Sequence, residues 1–206
     1  TYKKLKEKLT VSDSKKLFYE QFPYVIPGLY KRVIDEMLVE LNLLNHQNDF
    51  FQDDLFCSGL TETFKELTTG YKPEEHLVLL FDSLCKSSNF EPSKIKEISK
   101  KTLEKYKGKS FKQIATLLKE KNTSNLYSSR IMNLGIYLIF TLATDFNEIK
   151  DADRNQFISE TIINLNLSVS KAEKDIGIYK STIKKMEQAK ELLNEAKIQN
   201  KKKEKK

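Results

Sequence analysis

An all-α fold is predicted by three features of the sequence. Charged residues make up 32% of the 206 residues, while only six glycines, four prolines and no tryptophan are present. Apolar residues recur at spacings of three and four over most of the chain, whereas the alternating pattern of strands is nearly absent. The four prolines fall between the periodic segments. We therefore expect a compact multi-helix body, followed by a long C-terminal helix with a heptad-like apolar seam.

The first two helices are separated by two prolines. Ser12 and Asp13 can cap a first helix that Pro23 ends, and Pro27 suits the first turn of a second helix. One face of the second helix is apolar at helical spacing, with Tyr30, Val33, Met37, Leu38, Leu41 and Leu44. Its other face is charged, so water or a partner protein can lie against it.

Glycines, prolines and capping residues then divide the rest of the body into five helices. The predicted segments are 54–69, 73–88, 92–106, 110–118 and 131–144. Ser110 and Gln113 have the spacing of a capping box. The last segment is read as a core helix, because its apolar part is about half the ~20 residues that span a bilayer. Gly135 in it either lets a neighbouring helix approach closely or is merely tolerated.

From Asp153 onward the apolar residues alternate at steps of four and three. They are Ile158, Ile162, Leu165, Val169, Ala172, Ile176, Tyr179, Ile183 and Met186. This regularity predicts one long helix over residues 151–196, laid either along the body of the same molecule or along a second chain. Periodicity does not choose between the two. The second half is expected to project, because Lys190 interrupts the seam.

Positive charge is concentrated at the two termini. Of the net charge of +7, residues 197–206 contribute six lysines against one glutamate, and residues 1–8 contribute four lysines against one glutamate. The remainder is close to neutral, so no basic face for nucleic acid is expected on the folded part. We divide the chain into a basic N-terminal arm (1–11), an all-helical globular domain (12–150), the long helix (151–196) and a lysine-rich disordered tail (197–206). The tail is either a solvated end or a contact with an anionic membrane surface.

No recognisable catalytic or ligand-binding pattern is present in the sequence. His46 and His76 are 30 residues apart and neither has metal-ligand spacing to a second histidine or a cysteine pair. Glycine-rich phosphate loops and nucleophile motifs are missing. Cys57 and Cys85 lack C-x-x-C spacing, so we expect free, buried thiols in a reducing compartment. These features predict no metal, no cofactor and no enzyme activity, and favour an interaction protein.

Short motifs spread over nearly the whole chain occur in the order found in a known family. They are VSDSK from Val11, FP at Phe22, IP at Ile26, YKRV from Tyr30, DEMLVEL from Asp35, GYKPEE from Gly70, FDSLCK from Phe81, EKDIGIYK from Glu173 and KMEQAKELL from Lys185. In these motifs the chain resembles the thylakoid-formation family of oxygenic phototrophs, also called the photosystem II biogenesis family.

The resemblance implies a non-enzymatic role in thylakoid membrane biogenesis and in the assembly and repair of photosystem II. The implied partners are membrane-bound FtsH proteases, which such proteins bind and stabilise, and components of photosystem II assembly and repair. The implied location is the cyanobacterial cytoplasm with peripheral association with the thylakoid membrane, or the stroma and thylakoid of a chloroplast. The sequence begins at Thr1 rather than methionine, so it does not show whether a targeting segment was removed.

The hypothesised partner-binding residues lie on the charged faces of the densest motifs. They are Arg32, Asp35, Glu36, Glu40, Lys72, Asp175 and Tyr179. The simpler alternative is that these charges only pair within their own helices. Two alternative functions are a peripheral membrane-surface adaptor that uses the lysine-rich tail, and nonspecific nucleic-acid binding through the basic arms.

Overall fold

The computed structural model of the chain describes residues 8–121 and 126–203, which form nine α-helices and no β-strand. The helices are α1 Val11–Gln21, α2 Gly28–Asn45, α3 Asp54–Leu67, α4 His76–Lys86, α5 Pro92–Tyr106, α6 Phe111–Lys119, α7 Arg130–Phe140, α8 Asp151–Asn164 and α9 Val169–Lys203. The predicted all-α fold is confirmed, with seven helices before residue 150 and a long C-terminal helix.

Helices α3 and α7 form the centre of the molecule. Nearly every residue of α7 is buried, as are nine of the fourteen residues of α3. Helix α5 packs on α3, α9 packs on α7, and α1, α2 and α4 pack on one another. Helices α6 and α8 pack together on the remaining side, where they contact α7 and α9. Gly59 and Gly135 face each other in the α3–α7 contact, so close approach explains the glycine in α7.

Helix starts largely follow the expected capping chemistry. The predicted capping box of α6 is confirmed, since the Gln113 N–H donates to the Ser110 hydroxyl and the Ser110 N–H to the Gln113 side chain. Helix α1 is capped by Thr10 rather than by Ser12. The helix predicted from residue 73 begins at His76 instead, because residues 73–75 form a turn.

The prediction of one helix over residues 151–196 is wrong, because the backbone turns sharply between α8 and α9. Asn166 has a φ of 58°, in the left-handed region. The N–H of Leu167 donates to the carbonyl of Ile162 at 3.0 Å, as in a Schellman turn that ends a helix. Ser168 then precedes the first residue of α9. Asparagine is one of the few residues that adopt the left-handed conformation at low cost, which explains the break at this position.

The apolar seam is nevertheless buried within one molecule. The buried members are Ile158 and Ile162 on α8, Leu165 directly after α8, and Ala172, Ile176, Tyr179 and Met186 on α9. Helix α8 folds back on α9, and α9 lies along α7. The body of the same molecule therefore covers the seam as far as Met186.

The end of α9 differs from the predicted disordered tail. The helix continues to Lys203, because lysine, glutamate and glutamine favour helix and the sequence has no glycine or proline after Gly177. The remainder of that tail (204–206) and most of the predicted N-terminal arm (1–7) lie outside the described residues. The ammonium group of Lys8, which belongs to the predicted arm (1–11), donates to the carbonyl of His46 at 2.8 Å. None of the helices described here is long and apolar enough to cross a membrane.

Candidate functional site

An open groove of about 690 Å³ runs along the outward face of α2. Helix α1 contributes Lys15 to its lining and α7 contributes Arg130. The residues of α2 that line it are Gly28, Lys31, Arg32, Asp35, Glu36, Val39, Glu40 and Leu43. At 1.5 Å per residue these positions span about 22 Å, which is the length of a helix of about 15 residues. We call this surface the α2 groove.

The chemical character of the α2 groove changes in order along the helix. Cations come first, carboxylates follow one turn later, and aliphatic side chains lie near the end of α2. These are Lys31 and Arg32, then Asp35 and Glu36, then Val39 and Leu43. Leu43 is 53% exposed, which leaves apolar surface beside the charges. The groove therefore combines charge and apolar area, as partner-binding surfaces do.

The charges at the centre of the groove lie at the protein surface. The Nε of Arg32 is 2.9 Å from the carboxylate of Glu36, one helical turn away, and the two side chains are 87% and 43% exposed. An exposed pair of this kind adds only a few tenths of a kcal/mol to stability. Asp35 accepts a hydrogen bond from the Tyr19 hydroxyl at 3.4 Å. Intrahelical pairing is thus present, and it leaves the charged groups accessible from solvent.

Glu40 faces inward and links α2 to α7. Its carboxylate accepts hydrogen bonds from the Nε of Arg130 at 2.7 Å and from the N–H of Ile131 at 3.2 Å. The latter N–H lies in the first turn of α7, where amides lack partners within the helix. Burial raises the pKa of Glu40, while the Arg130 guanidinium acts in the opposite direction. Glu40 therefore mainly orients Arg130 toward the groove, and its own charge is already paired.

A narrow cleft continues from the α2 groove toward α9. Glu36 and Arg130 line both surfaces, and Asp175 and Tyr179 of α9 line the cleft. Its volume is about 30 Å³, which leaves room for only one or two water molecules. The structure thus places the late motif next to the early one, around Arg130.

Asp175 and Tyr179 have structural contacts of their own. Asp175 is 9% exposed and accepts a hydrogen bond from the Asn133 amide at 2.8 Å. Tyr179 is 8% exposed, and its ring lies 6.2 Å from that of Tyr137 in an edge-on arrangement. Burial raises the pKa of the Tyr179 hydroxyl. Both residues hold α9 against α7, and little of either side chain is presented to a partner.

Lys72 lies outside the α2 groove. It is exposed in the loop between α3 and α4, where its ammonium group pairs with Glu74. Of the residues predicted from sequence, Arg32, Asp35, Glu36 and Glu40 are brought together in the groove, Asp175 and Tyr179 lie beside it, and Lys72 is separate.

The sequence analysis missed Arg130 as a residue of this site, together with Lys15, Val39 and Leu43. Arg130 occupies the first position of α7, after the N-cap Ser129. A cation there opposes the positive end of the helix dipole, so a carboxylate partner is needed nearby. An arginine in the first position of an apolar helix therefore indicated that such a partner should exist. The sequence did not show that this partner is Glu40, because Glu40 and Arg130 are 90 residues apart.

Other groups that could carry chemistry are dispersed or enclosed. In residues 8–121 and 126–203 no group of three or more histidine, cysteine, aspartate or glutamate side chains could hold a metal ion. His76 stacks on Tyr24 with 3.8 Å between ring centroids. The prediction of free, buried thiols is confirmed for Cys57 and Cys85. Burial raises the pKa of Cys57 to about 12 and also raises the pKa of Cys85.

Comparison with known proteins relates both the sequence and the fold of this chain to one family. The sequence profile of the family described as thylakoid formation protein matches residues 10–206. A relative named Protein Thf1 from Prochlorococcus marinus subsp. pastoris (strain MED4) is 77% identical over 98% of this chain and 100% of its own length. Another Protein Thf1, from Prochlorococcus marinus (strain MIT 9312), is 66% identical over 97% of this chain and 99% of its own. A solved structure of Psb29 at 1.55 Å superposes with a TM-score of 0.84, at 27% identity, over 96% of this chain and 100% of that one.

Proposed function

The chain belongs to the thylakoid formation protein family, and from that premise we propose that it is a non-catalytic interaction protein that binds and stabilises membrane FtsH protease complexes. The resemblance noted in the motifs is thereby confirmed, and thylakoid formation is the process in which the family takes part. Within that process we assign the chain to photosystem II assembly and repair, with components of that machinery as further partners.

The observation that supports a contact function is the α2 groove. Its charges contribute little to the stability of the folded chain, since Arg32 and Glu36 form an exposed pair. Its Leu43 is 53% exposed and has no cover in the described part of the chain. Exposed charges beside exposed apolar surface, along about 22 Å of one helix, suit a helical segment of a partner protein.

The order of side chains in the groove specifies the chemistry of that segment. A complementary helix has carboxylates opposite Lys31 and Arg32, and cations opposite Asp35 and Glu36. Apolar residues on the same helix cover Val39 and Leu43. Opposite charges across the contact fix the direction and register of the two helices, while the apolar end provides most of the burial.

Binding alone is sufficient to stabilise a protease complex. A protein that binds only the assembled form stabilises it by RT ln(1 + [L]/Kd), which is about 2.7 kcal/mol at a hundredfold excess over Kd. No covalent step is needed for this effect.

The test exchanges the charges of the exposed pair. In Arg32→Glu with Glu36→Arg the intrahelical pair is kept in reverse, so helicity should not change, but the charges offered to a partner are inverted. We expect capture of FtsH from solubilised phototroph membranes to fall at least about tenfold, as 1.4 kcal/mol of lost complementarity implies.

The matched control exchanges another exposed pair one turn apart. Glu97 and Lys101 on α5 are 65% and 73% exposed with 2.6 Å between the charged groups. The variant Glu97→Lys with Lys101→Glu should capture FtsH as the wild type does. Equal capture by both double variants and the wild type would remove the α2 groove from the proposed function.

We place the protein on the cytoplasmic face of the thylakoid membrane, in peripheral contact with it. The feature in favour is the surplus of lysine at both termini, which anionic headgroups attract at about 1 kcal/mol per lysine. A function as a membrane-surface adaptor rests on the same feature and is the second candidate. Nucleic acid is not proposed as a partner, because the positive charge is terminal rather than spread over a folded face.

A further inference from the structure

The last third of α9 extends beyond the body of the protein. Lys190 is the final residue with a described contact to the body, its ammonium group lying 6.0 Å from the centre of the Tyr30 ring. All side chains of residues 191–196, and that of Ile198, are exposed. At 1.5 Å per residue, residues 191–203 extend for about 20 Å. We call these residues the α9 end.

The α9 end carries large apolar side chains that nothing in the described chain covers. Leu192 is 67% exposed and Leu193 is 52% exposed. At about 100° per residue these leucines share one side of the helix with Ala196. The positions of Glu191 and Glu195 are centred about 130° around the helix from this apolar side, and Glu195 is about 60° from Leu192. Residues 191–196 therefore form an amphipathic segment, whereas the exposed Ile198 falls on the side of the two glutamates.

A run rich in lysine begins at Lys197, four residues after Leu193. Residues 197–206 contain six lysines and one glutamate, so the chain changes from apolar to strongly cationic within a few residues. Apolar residues on one helix side, together with neighbouring lysines, are the combination that binds the surface of an anionic bilayer.

We propose that the α9 end docks on an anionic lipid surface. Leu192 and Leu193 enter the boundary between headgroups and acyl chains, and the lysines that follow are attracted to the lipid phosphates. The proposal rests on the peripheral location given above and names the segment that makes the contact. The peripheral location was argued from lysine charge alone, and this proposal adds Leu192 and Leu193 to the membrane contact.

A second copy of the chain is the competing occupant, and two quantities disfavour it. A pair of helices about 20 Å long and about 10 Å wide buries on the order of 400 Å² in total, whereas specific interfaces bury about 1,200 Å² or more. Parallel pairing would also bring two runs of six lysines within a Debye length of about 10 Å. A lipid surface needs no shape complementarity and has the opposite charge.

The test uses the full chain and vesicles made of equal parts phosphatidylglycerol and phosphatidylcholine. Leu192→Glu is compared with Ile163→Glu, because Leu192 is 67% exposed and Ile163 on α8 is 63% exposed. The two variants thus make the same change in charge and a similar change in apolarity. We expect Leu192→Glu to weaken vesicle binding at least about tenfold, and Ile163→Glu to bind within about twofold of the wild type. Vesicles of phosphatidylcholine alone should bind the wild type weakly.

The outcomes separate this proposal from the function on which it rests. If the wild type binds anionic vesicles and Leu192→Glu binds equally well, the α9 end is not the docking segment, while the peripheral location stands. If the wild type does not bind them, both are overturned. A dimer in sedimentation velocity that Leu192→Glu abolishes would assign the leucines to self-association instead. The FtsH contact is tested separately, because the vesicles contain no protein.

Discussion

Gly59 of α3 and Gly135 of α7 lie in direct backbone contact at the centre of the molecule. A Cβ atom added to either glycine would lie 3.0 Å from the Cα of the other. It would also overlap a backbone carbonyl oxygen, that of Ile131 for Gly59 and that of Leu55 for Gly135. Backbone atoms cannot move aside as a flexible side chain can, so the two central helices pack at this distance only with glycine at both positions.

We expect Gly135→Ala to lower the free energy of unfolding by about 2 kcal/mol. Overpacking at the crossing forces α3 and α7 apart, and this cost exceeds the gain of about 1 kcal/mol from the higher helix propensity of alanine. Gly177→Ala on α9 is the matched control, because the space around Gly177 is open. That variant should gain about 1 kcal/mol. Urea unfolding followed by circular dichroism measures both, and equal effects of the two substitutions would contradict the close crossing.

The two carboxylates beside Arg130 should differ sharply in their effect on stability. Glu40→Ala removes the acceptor for Arg130 and for the Ile131 N–H, and leaves both donors without that partner. We expect a loss of about 1–3 kcal/mol. The Glu36 side chain is 43% exposed, and its carboxylate is 4.0 Å from the Arg130 guanidinium, a long distance for an ion pair. Glu36→Ala should therefore change stability by less than about 0.5 kcal/mol. Chemical denaturation of the two variants in parallel checks this, and a costly Glu36→Ala with a neutral Glu40→Ala would reverse the assignment.

The two thiols should resist alkylation across a pH range in which ordinary thiols become reactive. Burial raises the pKa of Cys57 from 9.0 to about 12, so raising the pH from 7 to 9 creates almost no thiolate in the folded protein. Iodoacetamide labelling, read by mass spectrometry, should therefore remain low at both pH values and become complete only in denaturant. Labelling of folded protein that increases strongly toward pH 9 would show an accessible thiol.

The raised pKa of Cys57 also predicts the direction in which stability changes with pH. Between the ordinary thiol pKa and the raised one, the folded state keeps a proton that the unfolded state loses. Stability should therefore fall as the pH rises above about 9, and Cys57→Ser should show less of this fall.

Much of the fold was predictable because local signals dominate it. Prolines, glycines and capping residues mark most helix ends, as the Ser110 and Gln113 box shows. The single long helix was predicted wrongly for a specific reason. Leu165 and Val169 are four residues apart, so the apolar spacing continues across the break although the backbone turns at Asn166. Apolar periodicity predicts which residues are buried, but it does not show whether they lie on one continuous helix.

The candidate site was predictable only in part. The amphipathic pattern of α2 located Arg32, Asp35 and Glu36, because a charged helix face follows from local spacing. The inward turn of Glu40 depends on Arg130, which is distant in sequence. The pairing of Asp175 with Asn133 joins two helices in the same way, across 42 residues. Contacts of this kind arise from tertiary packing, which spacing within one helix does not encode.

The unbroken helix from Val169 to Lys203 acts as a fixed spacer. Asp175 lies beside Arg130 at the edge of the α2 groove, and Leu192 is 17 residues further along the same axis, or about 25 Å at 1.5 Å per residue. A macromolecule held in the groove and a bilayer touched by the leucines would therefore be kept at a set separation. The distance along α9 between the groove contact and the lipid contact would then be set by the number of helical turns between the two positions.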